Sequence, residues 1–370
     1  MVNSFNFPQP ALRQTEIENV SALLRQDQDL VITGVPGIGR RTLIRAAAHQ
    51  AGIIHLEINC LHCHSAKHFV QLLTGSISTV FSKSNQLTQI QQWILAQSQL
   101  LQKSLSIQDR LVCSVEPGKE WLLFEQILPL LQYLAESTAC RIVIVFHNLA
   151  HIRTWDRHRK WETRLLQEIQ HQEQVSYALI AIVPESWMDD MNLPTLSLEP
   201  LSEQSMRSWA VNTMAAAKLR FDPDGQSLET FLSYVQGHIK DAAALAQRIQ
   251  LMCCTSQTQT LGRVIQTHYI HSSMLALVRD VEVTFETLLL LLPSTQTKLL
   301  ESLALDPTNQ PQSTAYIKKH GLSRGGSLQG ALSSLEQKGL IYGPKLGYRV
   351  SLPLLDFWLK HGAESQKSRS

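Results

Sequence analysis

The sequence predicts a parallel α/β domain, followed by an all-helical region and a small C-terminal winged-helix domain. Apolar runs typical of buried strands alternate with amphipathic stretches over the first 200 residues, and such runs stop after Pro200. Continuous β-branched runs separated by helices are typical of a parallel sheet covered on both faces. The expected boundaries are 1–200 for the α/β domain, 201–290 for the helical region, 291–362 for the winged helix and 363–370 for a disordered tail.

The individual elements follow from the same patterns in chain order. In the α/β domain, strands are predicted at 30–33, 53–58, 141–146, 176–183 and 195–198. Helices are predicted there at 9–25, 40–51, 66–82, 87–104, 119–136 and 155–173. After Pro200 only helices are expected before the winged helix, at 202–218, 224–235, 239–253 and 261–291.

Composition narrows the function classes. A hydrophobic content of 44% with 17% charged residues is ordinary for a globular protein and excludes wholesale disorder. The formal charge of +2 provides no global field that would attract nucleic acid, and six cysteines in 370 residues are too few for a disulfide scaffold. The N-terminus has no signal-peptide pattern, and the longest apolar run, Leu288 to Leu292, is too short to span a bilayer. A soluble, cytoplasmic protein is expected, with no membrane partner.

A glycine-rich turn lies between the first strand and the helix that follows it. The spacing from Gly34 through Gly37 to Gly39 fits the phosphate-binding loop G-x-x-x-x-G-K-[ST], whose backbone N–H groups cradle phosphates at a helix N-terminus. Arg40 stands at the lysine position and Arg41 at the Ser/Thr position that would hold Mg²⁺. Thr42 comes one residue late, and one residue rotates a helical side chain by about 100°. ATP or ADP binding is therefore possible, and Mg²⁺ is not expected.

The strand predicted at 141–146 ends where phosphate-binding ATPases carry acidic residues. His147 and Asn148 occupy these positions, so neither brings a negative charge to balance a metal. For His147, a hydrogen-bonding role at the strand end is favoured over a catalytic or metal-binding role. No catalytic residue is assigned, and efficient hydrolysis is not expected.

The chain resembles the archaeal-type ATPase family of the STAND class, within the AAA+-like P-loop NTPases. The resemblance rests on the segments PALRQTEIENVSALL, VITGVPGIGRRTLIRAAA, RIVIVFHNLAHI, GHIKDAAALAQRI and the closing LPLLDFWL. It implies a parallel-sheet P-loop domain, an all-α lid and a winged helix, with Arg13 among the nucleotide-binding residues. It also implies a nucleotide-switched oligomer or a regulatory ATPase with protein partners.

The C-terminal segment carries the pattern of a winged helix-turn-helix. Helices are predicted at 294–304, 314–320 and 327–338, before a strand pair at 340–342 and 348–350. From 291 to 370 there are ten Lys/Arg and five Asp/Glu, a local balance of +5. Candidate contacts to phosphates or to a partner protein are Lys318, Lys319, Arg324 and Lys345. The helix expected to read bases offers chiefly Gln329 and Ser333. DNA contact and protein contact both stay open.

Three functions are compatible with these patterns. The leading hypothesis is a regulator that hydrolyses ATP feebly or not at all. The second is an active ATPase whose site is completed by a neighbouring subunit. The third is a DNA-binding regulator in which the P-loop body is only a scaffold.

Two further signals have simpler interpretations. The cysteines of the segment Cys60–His64 are interpreted as packed thiols rather than as zinc ligands with His68. The basic and aromatic residues from Trp155 to Arg164 are interpreted as a helix face with packed aromatics rather than as a nucleic-acid surface.

Overall fold

The computed structural model describes residues 10–96, 103–107, 110–114, 117–169, 171–255 and 263–367. These residues divide into two compact units. The first unit, called the body, comprises Arg13–Thr33 and Arg40–Ser197. The second, called the lid–wing unit, comprises the turn Gly34–Gly39 and the chain from Leu198 onward, together with the residues that precede Arg13.

The body contains a parallel sheet and a separate antiparallel hairpin. Its strands are β1 (Leu30–Thr33), β2 (Ile54–Asn59), β3 (Lys103–Ile107), β4 (Arg110–Ser114), β5 (Ile142–His147), β6 (Val175–Ala181) and β7 (Thr195–Ser197). The parallel sheet has the order β2-β5-β6-β1-β7, and β3 pairs with β4 in the hairpin. The predicted parallel sheet is confirmed, with its β-branched strand β5 buried along almost its whole length.

The body helices cover this sheet. They are α1 (Gln14–Arg25), α2 (Arg40–Ala51), α3 (Ala66–Val80), α4 (Ser84–Ala96), α5 (Glu120–Ser137), α6 (Lys160–Glu168) and α7 (Ser186–Asp190). A continuous core joins helices to strands through large side chains such as Phe69, Phe124, Phe146 and Tyr177. Burial of such side chains contributes roughly 2–3 kcal/mol each, so packing rather than local helix propensity stabilises these elements.

The lid–wing unit is mostly helical. Its elements are α8 (Glu203–Ala216), β8 (Leu219–Phe221), α9 (Ser227–Val235), α10 (Ile239–Thr255), β9 (Arg263–Ile265), α11 (Thr267–Leu291), α12 (Ser294–Leu305), α13 (Thr314–His320), α14 (Gly326–Gln337) and α15 (Pro353–Lys367). The lid core contains Trp209, Phe231 and Ile249, and the wing core contains Leu299 and Leu335. Helix α15 contributes to both cores, because Phe357 packs in the first while Leu355 and Leu359 pack in the second.

Three expectations from the sequence are wrong in detail. The helix predicted at 87–104 is α4, which begins at Ser84 and ends at Ala96, and Lys103–Ile107 forms a strand instead. The strands do not stop after Pro200, because β8 and β9 pair in parallel. The predicted disordered tail from residue 363 starts too early, since α15 continues to Lys367 through the good helix formers Glu, Gln and Lys.

Candidate functional site

The glycine-rich turn from Gly34 to Gly39 adopts a backbone that favours glycine. Gly34, Gly37 and Gly39 have φ values of +143°, +85° and +105°. Side chains rarely tolerate this region, which glycine enters without penalty. At Gly34 there is also no room, since a Cβ would lie 2.8 Å from the carbonyl oxygen of Leu198. Both the conformation and the packing therefore require glycine in this turn.

A buried histidine of the lid contacts the turn directly. The His238 Nε2 atom lies 2.7 Å from the carbonyl oxygen of Pro36, and the backbone N–H of Lys240 donates to the carbonyl of Gly37 at 3.2 Å. The backbone N–H of Asp241 donates to His238 Nδ1 at 3.3 Å. Because Nδ1 accepts, the proton of a neutral ring lies on Nε2 and is donated to Pro36. The lid is thus hydrogen-bonded to the turn through the carbonyl groups of Pro36 and Gly37.

The same lid segment is bonded to the last helix of the wing. Asp241 Oδ2 accepts the backbone N–H of Leu354, at the start of α15, at 3.2 Å. One residue before Gly237, the Gln236 amide donates to Asp356 Oδ2 at 3.0 Å. A continuous chain of hydrogen bonds therefore runs from Pro36 through His238 and Asp241 to α15.

Arg40, at the lysine position of the loop motif, is half-buried and already bonded. Its guanidinium donates to the carbonyl oxygen of Ala181, at the carboxyl end of β6. Burial lowers the pKa of Arg40 to about 10, so the side chain stays charged at neutral pH. A phosphate contact from Arg40 would have to be made alongside this bond to β6.

Arg41, at the Ser/Thr position, joins an ionic cluster around Glu57 of β2. Arg41 Nε lies 2.6 Å and the Arg45 guanidinium 2.9 Å from Glu57 Oε2. The Glu57 side chain is 11% exposed, whereas that of Arg41 is 61% exposed. Burial by itself raises the pKa of the Glu57 carboxyl, but neighbouring His147, then Arg45 and Arg41, outweigh burial and hold that pKa at about 2. Glu57 is therefore an ionised carboxylate with two guanidinium partners.

His147 and Asn148 close the carboxyl end of β5 beside this cluster. The register pairs Asn59 with His147, so Glu57 lies two residues back on the neighbouring strand. His147 Nε2 lies 3.6 Å from Glu57 Oε2, a weak polar contact slightly longer than an ordinary hydrogen bond, and this buried atom has no closer hydrogen-bond partner among the described residues. Asn148 adopts φ 55°, and its N–H donates to Ile180 at 3.1 Å.

Arg13 and Thr42 are the remaining candidate residues of the nucleotide site. Arg13 is buried and pairs with Glu16 at 3.0 Å, at the start of α1. Thr42 is half-buried in the first turn of α2. Sequence reasoning missed Glu57, Arg45 and His238. Only the position of His238 directly after Gly237, in the segment that resembles the lid, could have indicated it.

The candidate contacts of the wing differ in their ionic state. Lys319 pairs with Asp306 at 2.7 Å, and Lys345 pairs with Glu199 at 2.5 Å. Lys318 and Arg324 are exposed, and neither forms an ion pair within the part of the chain that the structure describes. Gln329 is exposed on α14 and accepts a hydrogen bond from Gln312. Within the described part of the chain, no hydrogen bond or ion pair joins any two of these five candidate side chains.

The segment Cys60–His64 and the basic and aromatic residues from Trp155 to Arg164 contact other side chains of the body. Cys60 and Cys63 are buried, and His64 stacks beside His68 with ring centroids 5.8 Å apart. Within the described ranges no group of three or more His, Cys, Asp or Glu side chains could hold a metal ion. Trp161 packs on Trp121 and Phe124, and the Lys160 ammonium lies 3.7 Å from the centroid of the Trp121 ring. Among the helices that the structure describes, none is both long and apolar enough to cross a membrane.

Known structures with the same arrangement identify the fold. The Walker-type ATPase of Pyrococcus abyssi superposes with a TM-score of 0.65 at 14% identity, over 94% of this chain and 95% of that chain. A family model described as a probable winged helix domain matches residues 283–361. The fold is that of a P-loop ATPase with a C-terminal winged helix.

Two further known structures superpose with lower TM-scores. The Aeropyrum pernix ORC1 protein, solved in complex with DNA, gives a TM-score of 0.48 at 12% identity over 94% of this chain and 92% of that chain. The Thermotoga maritima RuvB Holliday junction branch migration motor gives 0.43 at 12% identity over 93% and 92%. Scores below 0.5 support no functional inference. No curated protein matches the sequence.

Proposed function

We propose that this protein is a regulatory P-loop protein of the STAND type that binds ATP or ADP without efficient hydrolysis. The single observation that carries the proposal is the ionic state of Glu57. Glu57 lies in β2, beside His147 at the end of β5, and its carboxylate already pairs with Arg41 and Arg45. The glycine conformations of the turn supply the backbone cradle that a phosphate would need.

Hydrolysis needs a magnesium ion held between a loop hydroxyl and a strand-end carboxylate. Here a guanidinium replaces the hydroxyl, and His147 and Asn148 replace the acids. A divalent cation would have to displace two arginines from Glu57 against their own positive charge. We therefore expect nucleotide to bind through the turn and nearby cations, with little contribution from metal.

The wing would then present the nucleotide state to another molecule. The hydrogen bonds from Pro36 through His238 and Asp241 to α15 supply a physical connection between the turn and the wing. The partner is another protein, a second copy of the chain, or DNA. Exposed Lys318 and Arg324 are the cations best placed for phosphates, since neither is neutralised by a carboxylate among the described residues.

Calorimetric titration with ATP and ADP, in Mg²⁺ and in EDTA, tests the nucleotide proposal. The expected dissociation constants agree within about threefold between the two conditions. The variant Arg41→Thr/His147→Asp restores the hydroxyl and the acid, and we expect it to bind ATP at least about tenfold more tightly with Mg²⁺ than without.

Arg45→Thr is the matched control, because it removes a guanidinium from Glu57 without restoring either motif position. We expect no magnesium dependence from it. Strong magnesium dependence in the unaltered protein, or no nucleotide binding at all, would contradict the proposal. Steady-state phosphate release that disappears in Arg40→Ala would instead support an active ATPase with an atypical site.

A further inference from the structure

The C-terminal half of α11 exposes large aliphatic side chains to solvent. Val283, Leu290 and Leu291 are 73%, 85% and 78% exposed. A helix of a globular protein normally buries its apolar stripe and exposes polar residues on the opposite face. Large aliphatic side chains exposed together on one helix are typical of interaction sites. The exposure on α11 therefore needs a partner to explain it.

The exposed stripe lies opposite the face that α11 packs into its own unit. With 3.6 residues per turn, Val283 and Leu290 share one face, and half-buried Ala276 continues it toward the N-terminus. Met274 and Val278 lie on the other side of the helix and are buried. The stripe is thus a second apolar surface, and the fold of the unit does not use it.

Two charges of opposite sign border the stripe on the same side. Arg279 and Glu286 are exposed and stand seven residues apart, two helical turns, on either side of Val283 along the helix. Neither forms an ion pair within the described part of the chain. On the other border, Asp280 is already paired with Arg248.

This pattern is complementary to itself in one orientation. If a second α11 packs antiparallel about a two-fold axis near Val283, Arg279 of each copy meets Glu286 of the other. Val283 then meets its own equivalent, and Leu290 of each copy packs over Ala276 of the other. Parallel packing would instead bring the border that carries Arg279 against the opposite border of the other copy, where Asp280 is already paired with Arg248.

We propose that α11 is the docking surface for a second copy of this chain, which packs antiparallel and forms a two-fold dimer. Such an isologous contact buries the same patch on both copies. One helix face is smaller than the roughly 800 Å² per partner of a standard interface, so the dimer is weak and depends on concentration. We expect a dissociation constant on the order of 10 to 100 µM. The proposal is independent of nucleotide binding.

Sedimentation velocity of the full chain without nucleotide tests the dimer over about 1 to 500 µM, a range that brackets the expected constant. The unaltered protein shifts from monomer to dimer across this range. Arg279→Glu and Glu286→Arg each replace two attractions by two repulsions and weaken the dimer at least about tenfold. The double variant Arg279→Glu/Glu286→Arg exchanges the charges and restores it.

Lys67→Glu, an exposed charge reversal in the body, is the control and leaves the dimer unchanged. Leu290→Ser removes apolar contact without altering charge and weakens the dimer. Surface substitutions of this kind change folding stability by about 0.5 kcal/mol or less, so loss of the dimer reports on the interface. A monomer at every concentration, a dimer insensitive to Arg279→Glu, or a double variant that stays monomeric would overturn the proposal.

Discussion

Glu57 shows how one side chain defines the chemistry of the candidate site. It lies in the half-buried edge strand β2 and is surrounded by Arg41, Arg45 and His147. No motif in the sequence singles it out, because a lone glutamate in a strand is usually a solvated side chain at an edge. The parallel pairing of β2 with β5 places it beside the position where an ATPase would hold its acid.

Acid titration of stability tests this cluster. The folded pKa of Glu57, about 2, lies below its ordinary value of 4.5. The cluster therefore contributes its full stabilisation above pH 4.5, and that contribution is lost as the pH falls toward 2. Solvent screening of the exposed arginines limits the effect to about 1–2 kcal/mol.

Chemical denaturation at a series of pH values measures the effect. Over this acid range the unaltered protein should lose about 1–2 kcal/mol more free energy of unfolding than Glu57→Gln. Parallel pH profiles for the two proteins would show that folding does not lower the pKa of Glu57.

The turn and the start of the lid helix α10 are in direct contact, although about 200 residues of chain separate them. Helix α10 follows Gly237 and His238, and the His238 ring occupies the space where a side chain on Gly37 would lie. A Cβ at Gly37 would be 2.6 Å from His238 Cε1 and 2.7 Å from Nε2. This packing explains why the glycine is needed for structure as well as for any phosphate.

Gly37→Ala should therefore destabilise the protein by about 2–4 kcal/mol, through the strained φ and the overlap with His238. Gly330→Ala is the matched control, since Gly330 lies in α14 with nothing within 4 Å of its Cβ position. That change should stabilise by about 0.5–1 kcal/mol, because alanine is the better helix former.

Urea denaturation of both variants measures the difference, and His238→Ala should relieve part of the cost of Gly37→Ala. Equal and small effects at the two glycines would show that the turn yields easily to an added methyl group.

Secondary structure was predictable where the local pattern is strong. The continuous run RIVIVF indicated β5, and the glycine-rich turn indicated the junction of β1 with α2. The pairs β3–β4 and β8–β9 were missed, since strands of three to five residues leave too short a period to recognise. Such short strands form only because they pair with a partner strand, and the sequence of one segment does not indicate which segment that partner is.

In the lid–wing unit, the wing is attached to the lid rather than hanging from a linker. Helix α15 carries Phe357 into the lid core and Leu355 into the wing core, and Asp241 of the lid bonds its first turn. Lys345 at the tip of the wing pairs with Glu199, next to Leu198, which packs on Gly34. One attachment leads back to Pro36, in the middle of the glycine-rich turn, and the other to Gly34, at its start.

DNA binding by this surface is tested by the salt dependence of affinity for a short duplex, between about 50 and 200 mM salt. Replacing Lys318 and Arg324 by alanine should lower the salt slope by about 2, one for each lost phosphate contact. Replacing Lys319 and Lys345 should change it less, because Asp306 and Glu199 already neutralise them. No salt-dependent binding to duplex would favour a protein partner for the wing.

The sequence by itself determined the alternation of strands and helices, the glycine-rich turn, the substituted motif positions and the winged helix. Each of these depends on residues that are neighbours in the chain. Only the tertiary structure decided which side chains meet. Arg41 reaches Glu57 across 16 residues of chain, and His238 reaches Pro36 across 202. Strand order and helix packing bring such residues together, and these depend on the burial of the whole chain rather than on any local period.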